Sequence, residues 1–425
     1  MAGPVVAGPR GRTLLALVSI LLGSSIVLAG GLVPDGRAGA AELTLPLGEV
    51  DLVETRTGEP LAPGVSLTHI VRGTRPAAPD KIATTKRGPW RIEVLTIDPK
   101  LAHGQLVATY GPDLSQVETT TTLVQTAGAL AGVNASYFTM SGKAPGDPVG
   151  LGLYRGVLLS DPAATRHEVD LVVDAKTNTV VIGRLTWSGR LKNRRTGATL
   201  KLKHLNHPPT VPAKCRKLKD PTKCRKSGEV NSFRPEFGPT PHGKGVEVVL
   251  DQSGCVVRRS KARGRTLLPG QTSVQATGKQ SRSLWRLTKR GCLTSTVVAY
   301  REGKRLTLTS TMYGVAGRYH LTQRGRIVAP TKTGAYFSRH PRTIAGTTAD
   351  GKILLVAIDG RRPTSVGATI KETAAVAHAL GMTESLNLDG GGSTAMSVGG
   401  LLVSQPSGKA ERAVGDALVY VDRPQ

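Results

Sequence analysis

The run Asn387-Leu388-Asp389-Gly390-Gly391-Gly392-Ser393-Thr394 sets a carboxylate against three consecutive glycines and two hydroxyls. Glycine gives up the most conformational freedom on folding, so three in succession point to backbone that turns sharply or lies directly against a ligand. Bare amides in such a turn form a concave seat for a phosphate oxygen, and Ser393 and Thr394 add O–H donors. Asp389, at the lip of that seat, is placed to steady a cationic centre or to take a proton from water. The alternative is structural: a tight turn whose loop Asp389 caps. A second acidic turn, Asp359-Gly360-Arg361, precedes it in the chain.

The elements that must position these turns are legible nearby. Lys352 to Ile358 is a continuous apolar run of the kind buried on both faces of a sheet, and it leads into Asp359. Thr369 and Glu372 form a capping box ahead of the alanine-rich stretch Ile370 to Leu380, and Gly381 stands where a helix C-terminal cap belongs. Ser385 to Asp389 alternates, with Leu386 and Leu388 on one face and Asn387 and Asp389 on the other. A strand, a helix and a strand at this spacing predict a right-handed crossover with parallel strands, each ending in an aspartate at the same edge. Taken as neighbours, they place Asp359 and Asp389 in one crevice beyond the strand ends.

Upstream, β-branched runs at 91–97, 105–109, 169–182, 245–250, 256–259, 295–300 and 305–310 read as strands between Gly or charged turns. The expected fold is α+β, or mixed α/β: one strand-rich catalytic domain over residues 80–425 with a C-terminal strand-helix-strand unit. Residues 41–79, rich in Gly, Pro and Ala, read as an extended lead-in. Residues 184–226 read as a basic, cysteine-containing loop in which Asp220 is the single acidic residue. It is either a solvated loop or a docking surface for anionic polymer.

Arg10 and Arg12 precede the apolar run Leu14 to Leu28, and Ala38-Gly39-Ala40 offers a cleavage site, so residues 1–40 read as a secretory signal peptide. An uncleaved anchor is the alternative, for which the run is barely long enough. The protein is thus expected to be secreted or in the cell envelope. A formal net charge of +27, spread along the chain, calls for an acidic partner. Export, and an aromatic content of 4% that leaves little for base stacking, argue against nucleic acid. Anionic glycopolymers or glycolipids fit better, with peripheral association to the envelope. Cys215, Cys224, Cys255 and Cys292 make an even count, which in an exported chain means two disulfides. All three pairings are open, and loop length favours Cys215 with Cys224 and Cys255 with Cys292. A zinc site is the rival, without the close Cys-x-x-Cys pairs it prefers.

Four segments together resemble the phosphodiester glycosidase family: Gly132-Val133-Asn134-Ala135-Ser136-Tyr137-Phe138, Arg339-His340-Pro341-Arg342-Thr343-Ile344-Ala345-Gly346, Asp359-Gly360-Arg361, and Asn387 to Thr394. The resemblance runs from about Val65 to the C-terminus. It implies cleavage of the bond between a sugar's anomeric carbon and a phosphate, in a strand-rich mixed α/β domain whose motifs line one pocket. The positions matching its polar pattern are Asn134, Arg342, Asp359, Arg361, Glu372, Asp389, Ser393 and Arg412. The chain departs from the pattern at Ala135 and Ser136, where two glycines are usual, and near Ser404, Gln405, Gly415 and Asp416, where asparagines are. These departures bear on sugar and acceptor specificity. Tyr137 and Phe138 read as core, and Glu372 reads equally as a helix cap.

The residue types suit that chemistry. Ordinary glycosidases need two carboxylates because an alcohol leaves badly without a proton. A phosphate monoester leaves far more readily, so arginines gripping its oxygens can replace much of the acid. On this reading Asp389 is the first carboxylate and Asp359 the second, Arg342, Arg361 and Arg412 serve the phosphate along with Gly390, Gly391, Gly392 and Ser393, and Asn134 holds a sugar hydroxyl or amide. No cofactor is required, and calcium is compatible, since carboxylates and carbonyls suffice for it. Two alternatives belong to other classes. One is a non-catalytic module that binds anionic wall polymer. The other is a metal-dependent phosphodiesterase, which calls for clustered His and Asp ligands, whereas the nine histidines are scattered along the chain.

Overall fold

The computed structural model describes residues 44–142 and 144–422; the expected leader, residues 1–40, lies outside them. The apolar run at Ile353–Ile358 is the centre of a 12-stranded sheet. Its neighbours on one side are Trp90–Ile97, then Val65–Arg72 and Glu54–Ala62; on the other are Arg342–Thr348, Met382–Asn387, Met312–Gln323, Gly152–Tyr154 and Val157–Ser160. Strands Glu168–Asp174, Thr179–Gly183 and Arg326–Ile327 join at that far end. The double-sided burial inferred from the run is what occurs. Ile353, Leu355 and Ala357 pack into one core with Leu95, Leu386 and Leu388. Leu354, Val356 and Ile358 pack into another with Ile370, Ala374 and Ala377 of helix α3 (Ile370–Ala379).

A five-stranded sheet covers the first core, in the order Leu401–Leu402, Met396–Val398, Ala131–Asn134, Asp416–Val421 and Gln105–Tyr110. It contributes Leu106, Val133, Leu418 and Tyr420, all fully buried. Residues 185–306 form an insertion between the strands Thr179–Gly183 and Met312–Gln323, with a four-stranded and a five-stranded sheet of its own and helix α2 (Gln280–Leu287). Helix α1 (Thr120–Thr126) is the third α-helix among the described residues, in which strands far outnumber helices.

Three expectations are corrected. The strands leading to Asp359 and Asp389 are parallel but not neighbours: Arg342–Thr348 runs between them, antiparallel to both. Residues 54–72 are no lead-in but an antiparallel hairpin that pairs with Trp90–Ile97. The outer strand is an edge, largely exposed, so it carries Gly58 and Pro60 and lacks the alternation by which strands are recognised. Before it, Leu45 and Leu47 are fully buried, and the buried Arg72 clamps the segment by donating to the carbonyls of Leu47 and Glu49 at 2.6 and 2.9 Å. Third, the stretch 184–226 is not a loop throughout, for it contains the strands Leu185–Asn193, Thr199–Lys201 and His204–Leu205. The disulfides join Cys215 to Cys224 and Cys255 to Cys292, with Cα atoms 5.6 and 3.9 Å apart. The capping box at Thr369 and Glu372 forms as expected.

Since the hairpin seals one flank of the central sheet, deleting residues 44–72 should abolish cooperative thermal unfolding. Retention of the full-length chain's melting transition, read by circular dichroism, would show the hairpin to be peripheral.

Candidate active site

The polypeptide turns out of Met382–Asn387 into the glycine run, and the turn is fixed by backbone before any side chain acts. Asp389 N–H donates to the Ala135 carbonyl at 2.9 Å, Leu388 N–H to Thr343 at 2.9 Å, and Gly391 N–H to Pro341 at 2.8 Å. Asn134 locks the two sheets together here: its Nδ2 donates to the Asp389 carbonyl at 2.7 Å, and its Oδ1 accepts from Thr343 Oγ1 at 2.7 Å and Ala395 N–H at 3.1 Å. Its amide is so employed and fully buried, and it fixes the backbone at Asp389.

Asp389 is partly buried. Burial pushes its carboxyl up to about 6, against the pull of the Ser393 hydroxyl, the Gly390 N–H at 3.0 Å, and the charges of Arg412 and Arg318. It therefore exchanges a proton close to neutrality, as a base or nucleophile should. Ser393 Oγ is buried beside it with no formed hydrogen bond.

The glycines have a steric reason. The Arg361 guanidinium lies over Gly391, 3.1 Å from where a Cβ would stand, and a Cβ on Gly392 would overlap the Arg412 guanidinium. Arg361 is a non-glycine residue at φ 61°, a conformation normally avoided and held here by its surroundings. Its Nε and Nη2 both point to His340 Nδ1, at 3.2 and 3.1 Å, while His340 Nε2 meets the Ala335 carbonyl at 2.7 Å. That pattern fits a neutral imidazole with its proton on Nε2, and burial together with Arg361 and Arg342 lowers the His340 pKa. The nearby charge of Arg412, after burial, also lowers that of Arg361. Arg361 and Arg412 are both exposed at the rim.

Aromatic groups close the other side. Tyr137 Oη lies 2.8 Å from Tyr336 Oη and accepts from Asn387 Nδ2 at 2.9 Å. The exposed Arg318 stacks on the Tyr137 ring at 4.3 Å. Tyr137, read from sequence as core, is half-buried beside Asp389, its hydroxyl pushed well up by burial and by the neighbouring Tyr336 and Asp389. Its segment is pinned by Asp416, whose carboxylate accepts from Ser136 N–H and Oγ at 2.6 and 2.7 Å and from Tyr154 Oη at 2.9 Å.

Other expected residues do not join this pocket. Arg342 is buried and spends its guanidinium on the carbonyls of Ala368, Tyr336 and Ser338 at 2.7–2.9 Å. Glu372 completes its helix cap and an ion pair with Arg339 at 2.7 Å. Asp359, two strands from Asp389, lies roughly 10 Å away by strand spacing and has separate partners: its Oδ1 accepts from Gln405 N–H at 2.9 Å. Burial lifts it to about 7, with Glu93 adding to the rise. Sequence reasoning missed Arg318, His340 and Tyr336. Only His340 carried a signal, in the motif that also supplies Arg342. Among the described residues no group of three or more His, Cys, Asp or Glu side chains is placed to hold a metal ion.

Residues 244–421 match the family model described as phosphodiester glycosidase. An SPbeta prophage-derived protein of Bacillus subtilis is 35% identical over 80 residues, which is 19% of this chain and only 12% of that relative's length. A Burkholderia pseudomallei protein described as exported has a similar solved structure, with a TM-score of 0.75 at 25% identity, over 89% of this chain and 98% of that one. A hypothetical protein from Synechocystis follows at 0.64 and 19% identity, over 85% and 62%; that likeness concerns the fold alone.

Two outcomes are expected of this geometry. Gly392→Ala displaces the flexible end of Arg412 rather than backbone, so the fold should survive while affinity for inorganic phosphate falls at least about tenfold, hydrogen bonds to charged groups being worth about 1.5–3 kcal/mol. Unchanged phosphate affinity by calorimetry counts against the seat. Asp359→Asn keeps the acceptor for Gln405. Because the folded carboxyl sits at about 7, above its unfolded value, its favourable contribution is complete in acid and lost as pH rises through 7. The variant should therefore melt higher than wild type at pH 8 and about equally at pH 4; equal melting at both would refute the burial argument.

Proposed function

With residues 244–421 matching a phosphodiester glycosidase, we propose that this protein hydrolyses the glycosidic bond of a sugar 1-phosphodiester in an envelope glycopolymer or glycolipid. Sugar is released and a phosphomonoester remains on the acceptor. The observation that carries the reading is a carboxylate lifted to about 6 by burial, under the charges of Arg412 and Arg318, beside a glycine turn over which the guanidinium groups of Arg361 and Arg412 lie. The phosphate sits on the glycine turn, with Arg361 and Arg412 on its oxygens, and the anomeric carbon faces Asp389. As the bond from anomeric carbon to phosphate oxygen breaks, its electron pair stays with the phosphate. The arginines neutralise that charge without giving up a proton, and Asp389 stabilises the oxocarbenium-like centre, as nucleophile or by taking a proton from attacking water.

Two disulfides, the expected leader and the likeness to a protein described as exported support action outside the cytoplasmic membrane. Arg342 and Asn134 act through position: the first braces the Tyr336 to Ser338 turn and the second sets the Asp389 carbonyl.

Asp389→Asn should stay folded and lose about a thousandfold or more in kcat on a sugar phosphodiester, roughly 4 kcal/mol of transition-state stabilisation. Wild-type kcat/KM should fall about tenfold per pH unit below about 6, where Asp389 takes up its proton. Near wild-type turnover by the folded variant would remove Asp389 from the chemistry. Arg361→Lys keeps charge but loses the planar fork, so its loss should be larger for phosphodiester than for activated aryl glycoside substrates. Equal losses would place Arg361 outside the leaving-group site.

A further inference from the structure

The insertion carries charge that the Asp389 pocket does not use. Two grooves open on it, of about 530 and 360 Å³, and Lys289 and Arg290 line both. The larger runs between the turn after Leu185–Asn193 and helix α2, the smaller between Val256–Arg263 and residues 288–291. Their cationic linings are Arg195, Arg258, Arg259, Arg286, Lys289 and Arg290, and no carboxylate lines either. Asp220, the acidic residue of the adjoining basic stretch, is taken by Lys261 at 2.7 Å. Arg259 is held in place, its guanidinium 3.9 Å from the Trp285 ring centroid, yet its Nε is buried without a partner. A buried donor left unpaired is unfavourable, and a ligand acceptor would satisfy it. The Cys255–Cys292 disulfide fastens the strand to the turn bearing Lys289 and Arg290, so these charges are kept close. Apolar surface is interleaved with them: Val257 is 53% exposed, and Leu200 and Leu287 line the larger groove.

We propose that these grooves bind a stretch of phosphodiester-linked envelope polymer, its phosphates against the arginines and lysine and its carbon units against Val257, Leu200 and Leu287. The identity of the polymer rests on the function proposed above, whereas the binding requires no catalysis. Positive charge along an edge strand such as Val256–Arg263 also discourages edge-to-edge pairing. That role asks nothing of Arg195, Arg286, Lys289 and Arg290, which converge from other elements. Polymer captured here is held at high local concentration for the Asp389 site.

The test uses the full chain carrying Asp389→Asn, so that bound polymer is not consumed, with purified poly(glycerol phosphate) as probe and binding read by anisotropy across a salt series. Adding Arg258→Glu, Lys289→Glu and Arg290→Glu, all exposed positions, should weaken binding by more than about tenfold at low salt and flatten its salt dependence. The same three changes in the otherwise wild-type chain should leave turnover of a small phosphodiester within about twofold, since no catalytic group is touched. If the charge reversals disturb folding, the glutamine versions decide, with a smaller loss in the same direction. Unchanged binding by a folded variant overturns the proposal. So does an equal loss on reversing Lys214, Lys217 and Lys223 instead, which would make net charge the cause, or equally tight binding of a sulfated glycan, which would remove the phosphodiester assignment. Should the wild type cleave no phosphodiester while binding still maps to these grooves, the proposed reaction fails and the groove stands.

Discussion

The glycine turn depends on holding one partly buried carboxylate without pairing it off. Desolvating an ion costs several kcal/mol, and the usual remedy is a direct ion pair. Asp389 makes none among the described residues. It has the Gly390 N–H at 3.0 Å, the Ser393 hydroxyl beside it, and guanidinium charge at one remove. A direct arginine contact would drag its pKa down and tie up the oxygen that the proposed reaction uses. The arginines are accordingly restrained elsewhere, Arg361 by His340 and Arg318 by the face of Tyr137. Gly391 and Gly392 are the consequence, because two guanidinium groups can lie over backbone only where no Cβ intervenes.

Such a balance needs rigid surroundings, and these are made of buried polar groups satisfied by one another. The Asp416 carboxylate takes three hydrogen bonds from Ser136 and Tyr154, and Ser136 Oγ also accepts from Ala316 N–H at 3.1 Å, which ties the Tyr137 segment to the long strand carrying Arg318. Asn134 performs the same service between the two sheets. Partly satisfied, these networks would be costly; fully satisfied, they fix a single geometry. Several polar positions in the recognised motifs are therefore supports. The charge of Arg342 serves carbonyls and that of Glu372 a helix end.

What could be read from the sequence follows the strength of local signals. Ile353–Ile358 announced itself because burial on both faces leaves no polar residue, and α3 because its cap and its C-terminal glycine are local chemistry. The edge hairpin at 54–72 did not, since one exposed strand satisfies no periodicity. The strand Arg342–Thr348 was recognised as a motif but not as the spacer between the two aspartate turns. Strand order is a long-range property on which the chain from 353 to 389 is silent. The site divides the same way: Asp389 and its glycines lie in one segment, whereas Arg318 reaches them through strand pairing across the sheet and Tyr336 and His340 come from the segment leading into Arg342–Thr348.

The choice of arginine over a second carboxylate constrains what a site of this kind can cleave. A guanidinium keeps its proton at any pH a protein tolerates, so it can neutralise a departing oxygen but not protonate it. A leaving group that carries its own negative charge is served well, whereas an alkoxide gains little. Asp359, lifted to about 7 and so partly protonated near neutrality, has the proton an ordinary glycosidase would use, but it sits two strands away and engages Gln405. On the proposed function, selectivity for phosphate-linked sugars would follow from what the site lacks as much as from what it contains. The same physics operates across the whole molecule, where a net charge of +27 favours polyanions over distances at which no single contact acts.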